Sequence, residues 1–100
     1  MGLSDYKKEK NKDWDLIGWI LASQRQRHVV LKSMDSLKRT SENIRERASK
    51  FNSHLTRIST KQILKELISK GLVETEMTER RRYYCINGKG LAIKNWSDHH

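Results

Sequence analysis

Residues 58–73 read ISTKQILKELISKGLV, and the fold turns on how this stretch is parsed. Ser59 followed three residues later by Gln62 has capping-box spacing: the serine hydroxyl accepts from the Gln62 amide, and the Gln62 side chain reaches back to the Ser59 amide. Ile58 and Ile63 on either side have the spacing of a hydrophobic staple. Together these predict a helix beginning at Thr60. Its inner face would carry Ile63, Leu64, Leu67 and Ile68, leaving Lys61, Gln62, Lys65, Glu66 and Ser69 towards solvent. Gly71 supplies the left-handed residue that ends the helix, with Lys70 complementing the dipole.

Beyond Gly71 the period changes from helical to alternating. Leu72 to Met77 and Arg82 to Ile86 read as short strands, and the polar link Thr78, Glu79, Arg80 and Arg81 reads as a hairpin turn. A helix closed by Lys70-Gly71-Leu72-Val73 and followed by a basic-tipped hairpin resembles the core of a winged helix-turn-helix domain. The resemblance continues through Tyr83, Tyr84 and the segment Asn87-Gly88-Lys89-Gly90-Leu91, similar to the ending of small winged-helix regulators, particularly archaeal ones. Those end on a wing strand, a T-x-K-G motif and a last helix; here Asn87 stands in place of the threonine. Leu21 to Met34 looks like the first helix of such domains, which carries the resemblance back to about Trp14.

One hundred residues make one domain with a modest core. The 35% hydrophobic content is low, but its periodicity argues against wholesale disorder. Lys and Arg number 21 against 12 Asp and Glu, and the resulting charge of +9 favours polyanions, with nucleic acid the leading class. A basic surface that only keeps the chain soluble is the competing reading. One cysteine, Cys85, excludes an intramolecular disulfide. The absence of a signal-peptide core, or of the roughly 20 apolar residues of a membrane span, points to the cytoplasm.

Residues 1–13 are charged and nearly free of apolar groups, and read as a flexible basic arm; 14–96 form the domain and 97–100 a tail. Trp14 to Ala22 is the most apolar stretch, with Trp14, Ile17 and Leu21 on one helical face and Trp19 and Ile20 broadening it. Ser23 and Gln26 offer a capping box for a helix beginning at Gln24, which would bury His28, Leu31 and Met34 beside Val30. Two readings fit the surplus of Trp14, Trp19 and Ile20: core filling, or a homodimer interface that Trp96, in a short helix from Leu91, would join. The resemblance implies the dimer, because winged-helix regulators commonly pair through terminal helices.

Thr40 is a plausible N-cap, with Glu42 in the first turn where the dipole favours acid. Ile44, Ala48 and Phe51 form an apolar stripe that Leu55 and Ile58 could continue. Either that helix runs to about Thr56, or it ends near Asn52 and residues 53–57 form an extended turn; the short turn of a helix-turn-helix favours the second.

The expected fold class is therefore α+β, mainly α: a winged helix-turn-helix with a two-stranded wing and flanking terminal helices. The resemblance implies double-stranded DNA as partner and transcriptional regulation as function. A recognition helix presents its N-terminal residues to base edges while the turn before it meets phosphates. Here those residues are Ser59, Thr60, Lys61, Gln62 and Lys65, with His54 and Arg57 in the turn and Lys38 and Arg39 adding phosphate contacts. Arg80, Arg81 and Arg82 at the wing tip suit a narrow minor groove or adjoining phosphates, although strand alternation could turn one inward. A protein-interaction module and an RNA-binding winged helix are the alternatives.

No catalytic constellation is evident, and no cofactor or metal is expected. The chain lacks a phosphate-binding loop of the right length, a zinc-protease helix motif or a paired cysteine set. Asn87-Gly88-Lys89-Gly90 reads as the turn into the last helix, His28 and His54 as structural or surface histidines, and Cys85 as a small buried hydrophobe. His99 and His100 carry no site, nor is a small-molecule effector evident.

Overall fold

A computed structural model of the chain describes residues 15–21, 26–51 and 54–99. The expected basic arm, Trp14, and the Ser23 cap with its helix start at Gln24 lie outside the described residues. In chain order the elements are α1 (residues 15–21), α2 (Gln26–Lys32), α3 (Ser41–Ala48), α4 (Arg57–Ser69), β1 (Val73–Thr78), β2 (Arg81–Ile86) and α5 (Gly88–His99). The fold is a winged helix-turn-helix: α2, α3 and α4 pack on one another, and an antiparallel hairpin follows α4.

The helical periodicity places most of the core correctly, Phe51 and Ile58 excepted. Val30 and Leu31 of α2, Ile44 and Ala48 of α3, and Ile63, Leu64 and Leu67 of α4 are buried together, closed by Leu72, Val73, Tyr84 and Ile86 from the hairpin and Ile93 from α5. α1 contributes Ile17 and Ile20, and Ile20 is 0% exposed. That overturns Ile20 as a dimer contact, because its whole side chain is already spent on the core of a single chain. Trp19 is half-buried against the same core. Arg27 holds it there: the guanidinium carbon lies 4.3 Å from the indole centroid, and Nη1 donates to the Trp19 carbonyl at 2.9 Å. Nε and Nη2 of Arg27 donate to Glu66 at 3.2 and 3.0 Å, which ties α1 and α2 to α4.

α2 ends with the Ser33 and Met34 amides closing on the Val29, Val30 and Leu31 carbonyls, and the two carbonyls just beyond it find cations. Arg47 Nε donates to the Ser33 carbonyl at 2.8 Å and Lys94 Nζ to the Met34 carbonyl at 2.8 Å, so α3 and α5 are both pinned to the segment just past the negative end of α2. α3 starts at the expected cap, with the Asn43 amide donating to Thr40 Oγ1 at 3.2 Å. It stops at Ala48, earlier than either expectation, and Phe51 is exposed rather than part of the buried stripe. Lys32 Nζ lies 4.5 Å from the Phe51 ring.

α4 also departs from the sequence reading: it begins at Arg57, not Thr60. Its cap is Thr56, whose hydroxyl accepts from the Ser59 amide at 3.1 Å while the Thr56 amide donates to Ser59 Oγ at 2.9 Å. The box is thus Thr56 with Ser59, one turn ahead of Ser59 with Gln62, because burial of Leu55 at N′ and Thr60 at N4 seats the earlier turn on the core. Ile58, expected as a staple, faces solvent. The far end is as expected. Gly71, at φ 74°, lets its own amide reach the Ile68 carbonyl (2.9 Å) and the Leu72 amide reach Leu67 (3.0 Å), a Schellman closure.

The hairpin pairs Val73 with Ile86 through Thr78 with Arg81. Arg39 exchanges both backbone hydrogen bonds with Tyr84, at 2.9 and 2.7 Å, so the α2–α3 connection adds a one-residue third strand to β2. Alternation turns Tyr84 and Ile86 inward and Cys85 to the other face, where it is half-buried instead of buried as expected. Asn87 then caps α5: its Oδ1 accepts from the Gly90 amide at 2.8 Å, and its Nδ2 donates to the Gly71 carbonyl at 2.7 Å. A side chain at Gly90 would strike the Leu72 carbonyl and Ile86, so only glycine lets α5 start this close to the end of α4. α5 starts at Gly88, earlier than the expected Leu91, and continues through residues 97–99, into the stretch expected to be a tail.

Candidate nucleic-acid interface

With Thr60, Ile63, Leu64 and Leu67 facing the core, the opposite face of α4 is set by helical geometry. Arg57, Ile58, Lys61, Gln62, Lys65 and Ser69 are exposed along it. Of the residues expected to meet DNA, Thr60 is excluded: it is 1% exposed, and its hydroxyl donates to the Thr56 carbonyl at 2.7 Å. Ser59 is half-buried with its hydroxyl engaged in the cap, so it shapes the helix start instead of offering a free donor. His54 is exposed in the turn.

The wing is a two-residue hairpin in which both central residues are left-handed, Glu79 at φ 50° and Arg80 at φ 70°. This geometry suits the twist of the strands but ordinarily selects Asn or Gly. Arg80, Arg81 and Arg82 are all exposed, and none is turned inward. Arg82 Nη1 donates to Thr75 Oγ1 at 3.3 Å across the hairpin.

Helix and wing face each other across a cleft of about 690 Å³, lined by Thr40, Ser41, Glu42, Asn43 and Glu46 of α3 and its cap, Lys61 of α4, and Arg80, Arg81, Arg82 and Tyr84 of the hairpin. Lys61 and three arginines separated by about twenty residues in sequence therefore border one concave surface. Lys65, one helical turn beyond Lys61, extends the basic edge. Among the described residues, none of Lys61, Lys65, Arg80 and Arg81 is held in an ion pair.

Other cations proposed from sequence are committed internally. Arg39 forks onto Asp35, with Nη2 at 2.8 Å and Nε at 3.1 Å, and reaches Asn43 at 2.9 Å. These bonds, aided by the Leu37 amide and the charges of Arg39 and Arg47, hold the Asp35 carboxyl below its ordinary pKa against the opposing effect of partial desolvation. Lys38 is clamped on Glu76 at 2.8 and 2.9 Å, which raises the lysine pKa and lowers that of the glutamate. Lys38 thus ties the α2–α3 connection to the hairpin but stays 57% exposed, whereas Arg39, with its side chain held on Asp35 and Asn43 and 20% exposed, is withdrawn as a phosphate contact. Arg57 donates to Glu42 at 2.8 Å, but its side chain stays 70% exposed and can still turn to a phosphate. Sequence reasoning missed this partner and also Ile58, whose exposure follows from the earlier helix start.

Among the described residues no helix is long and apolar enough to cross a membrane, and no group of three His, Cys, Asp or Glu side chains is placed to hold a metal ion. A crystal structure described as that of a predicted DNA-binding transcriptional regulator from E. coli matches this chain with a TM-score of 0.72, covering 99% of this chain and 100% of that one. The chain shares that protein's fold. Sequence identity between the two is 15%, so the likeness concerns fold alone. No family model and no curated protein matches the sequence.

Proposed function

We propose that this chain binds double-stranded DNA and acts as a transcriptional regulator, with α4 in the major groove and the wing on the adjoining backbone or minor groove. The observation that carries the reading is the cleft bordered by Lys61 on one element and by Arg80, Arg81 and Arg82 on another, four cations against Glu42 and Glu46. Cations spread evenly for solubility would not converge from two elements on one surface, whereas phosphates on either side of a groove need that spacing. The fold shared with a protein described as a DNA-binding regulator supports the same reading. Lys61, Gln62 and Lys65 then lie over the groove, and Arg57 and His54 at the turn meet the sugar-phosphate edge. Occupancy of the site excludes or recruits other proteins there.

The discriminating experiment is titration of the purified chain with random duplex DNA and with single-stranded and duplex RNA of equal length, followed by fluorescence anisotropy. Duplex DNA is expected to bind most tightly, and preference for either RNA would replace the DNA reading with an RNA-binding one. The regulator is further proposed to work as a homodimer whose contact includes Trp96 and the half-buried Trp19. Light scattering should give the mass of two chains for the wild type, and of one for Trp96→Ala.

A further inference from the structure

Ile58 is 83% exposed, the most exposed of the large apolar side chains among the described residues, and it stands at the second position of α4. A single exposed hydrophobe is unremarkable by itself. What sets this one apart is its place: Lys61, Gln62 and Lys65 follow at i+3, i+4 and i+7, so all four share the outward stripe of the helix. The other large apolar residues of α4 are buried or pack on the core. Ile58 is also held stiffly, because the reciprocal Thr56–Ser59 cap fixes its turn and β-branching restricts its rotamer. A polar groove floor offers such a side chain one apolar partner, the C5 methyl of thymine.

We propose that Ile58 packs against a thymine methyl group in the major groove and makes the protein prefer an A·T pair at that position; the inference rests on the DNA reading above. Flanking Lys61 and Lys65 supply the charge complementarity that brings the groove to this face, and Gln62 beside Ile58 has the donor and acceptor pair that suits an adenine edge.

The test starts from duplex sites enriched from a random library by the full chain. Each thymine is then replaced singly by deoxyuridine, which removes only the methyl group. For the wild type, one position should lose about fourfold in affinity, the equivalent of one buried methyl-sized group. Ile58→Ala should bind the thymine and uracil forms of that site equally, with an unchanged thermal midpoint and salt dependence, and Ile58→Val should retain the thymine preference. Uracil tolerated everywhere by the wild type, or a thymine preference that survives in Ile58→Ala, overturns the inference while leaving DNA binding intact. Failure of the wild type to bind any duplex overturns both.

Discussion

Single side chains fix the junctions of this small domain, and their contributions are separable. Asn87 serves two elements, capping α5 through Gly90 and holding the Gly71 carbonyl at the end of α4. Asn87→Ala should therefore cost about 1–2 kcal/mol in urea unfolding, the range of a lost N-cap. Gly90→Ala puts a methyl group against the Leu72 backbone and Ile86, and should cost about 1–3 kcal/mol by overpacking. Asp35 adds a pH dependence of definite sign. Its folded pKa is depressed, first by the hydrogen bonds from Arg39, so its stabilising effect is complete above the unfolded value of about 4 and is lost as pH falls through the lower folded value. Urea midpoints measured from pH 6 to pH 2 should fall less steeply in the acid limb for Asp35→Asn than for the wild type; equal slopes would remove Asp35 from the acid response.

At the scale of elements, the wing combines strain with charge. Glu79 and Arg80 both occupy left-handed backbone that costs a side-chain-bearing residue roughly 1–2 kcal/mol. Replacing Arg80 alone by Gly should stabilise the hairpin by about 1 kcal/mol while weakening duplex binding, since one arginine leaves the cleft; a variant gaining stability with undiminished affinity would show that Arg80 does not touch the ligand. The turn sequence predicted a hairpin because alternation resumes after it, although neither residue at its centre favours this geometry. α4 was legible at its end, where Gly71 leaves little choice, and misread at its start. Thr56 with Ser59 and Ser59 with Gln62 carry the same spacing, and only burial of Leu55 and Thr60 distinguishes them. The third strand at Arg39 leaves no pattern in sequence, because a single residue has no period. The wing arginines could be read as a charged turn; the Arg57–Glu42, Arg39–Asp35 and Lys38–Glu76 pairs decide which other cations are free, and depend on how the helices and hairpin pack.

Across the whole molecule, a core of ordinary aliphatic residues supports a surface whose 21 Lys and Arg are partly neutralised by internal pairs and partly gathered on one cleft. The same packing buries Ile20 in one chain, which leaves fewer apolar groups for a second copy than the tryptophan-rich terminus promised. If the cleft meets phosphates, affinity must fall with salt in proportion to the phosphates neutralised, by about 0.9 in log-log slope for each. The most direct measurement is that slope for random duplex DNA, in the wild type and in a variant with Arg80, Arg81 and Arg82 all changed to alanine. The cleft geometry predicts a slope for the triple variant shallower by up to about three, with weaker binding at every salt concentration. An unchanged slope, or no duplex binding by the wild type even at low salt, would contradict a DNA interface built from this helix and wing.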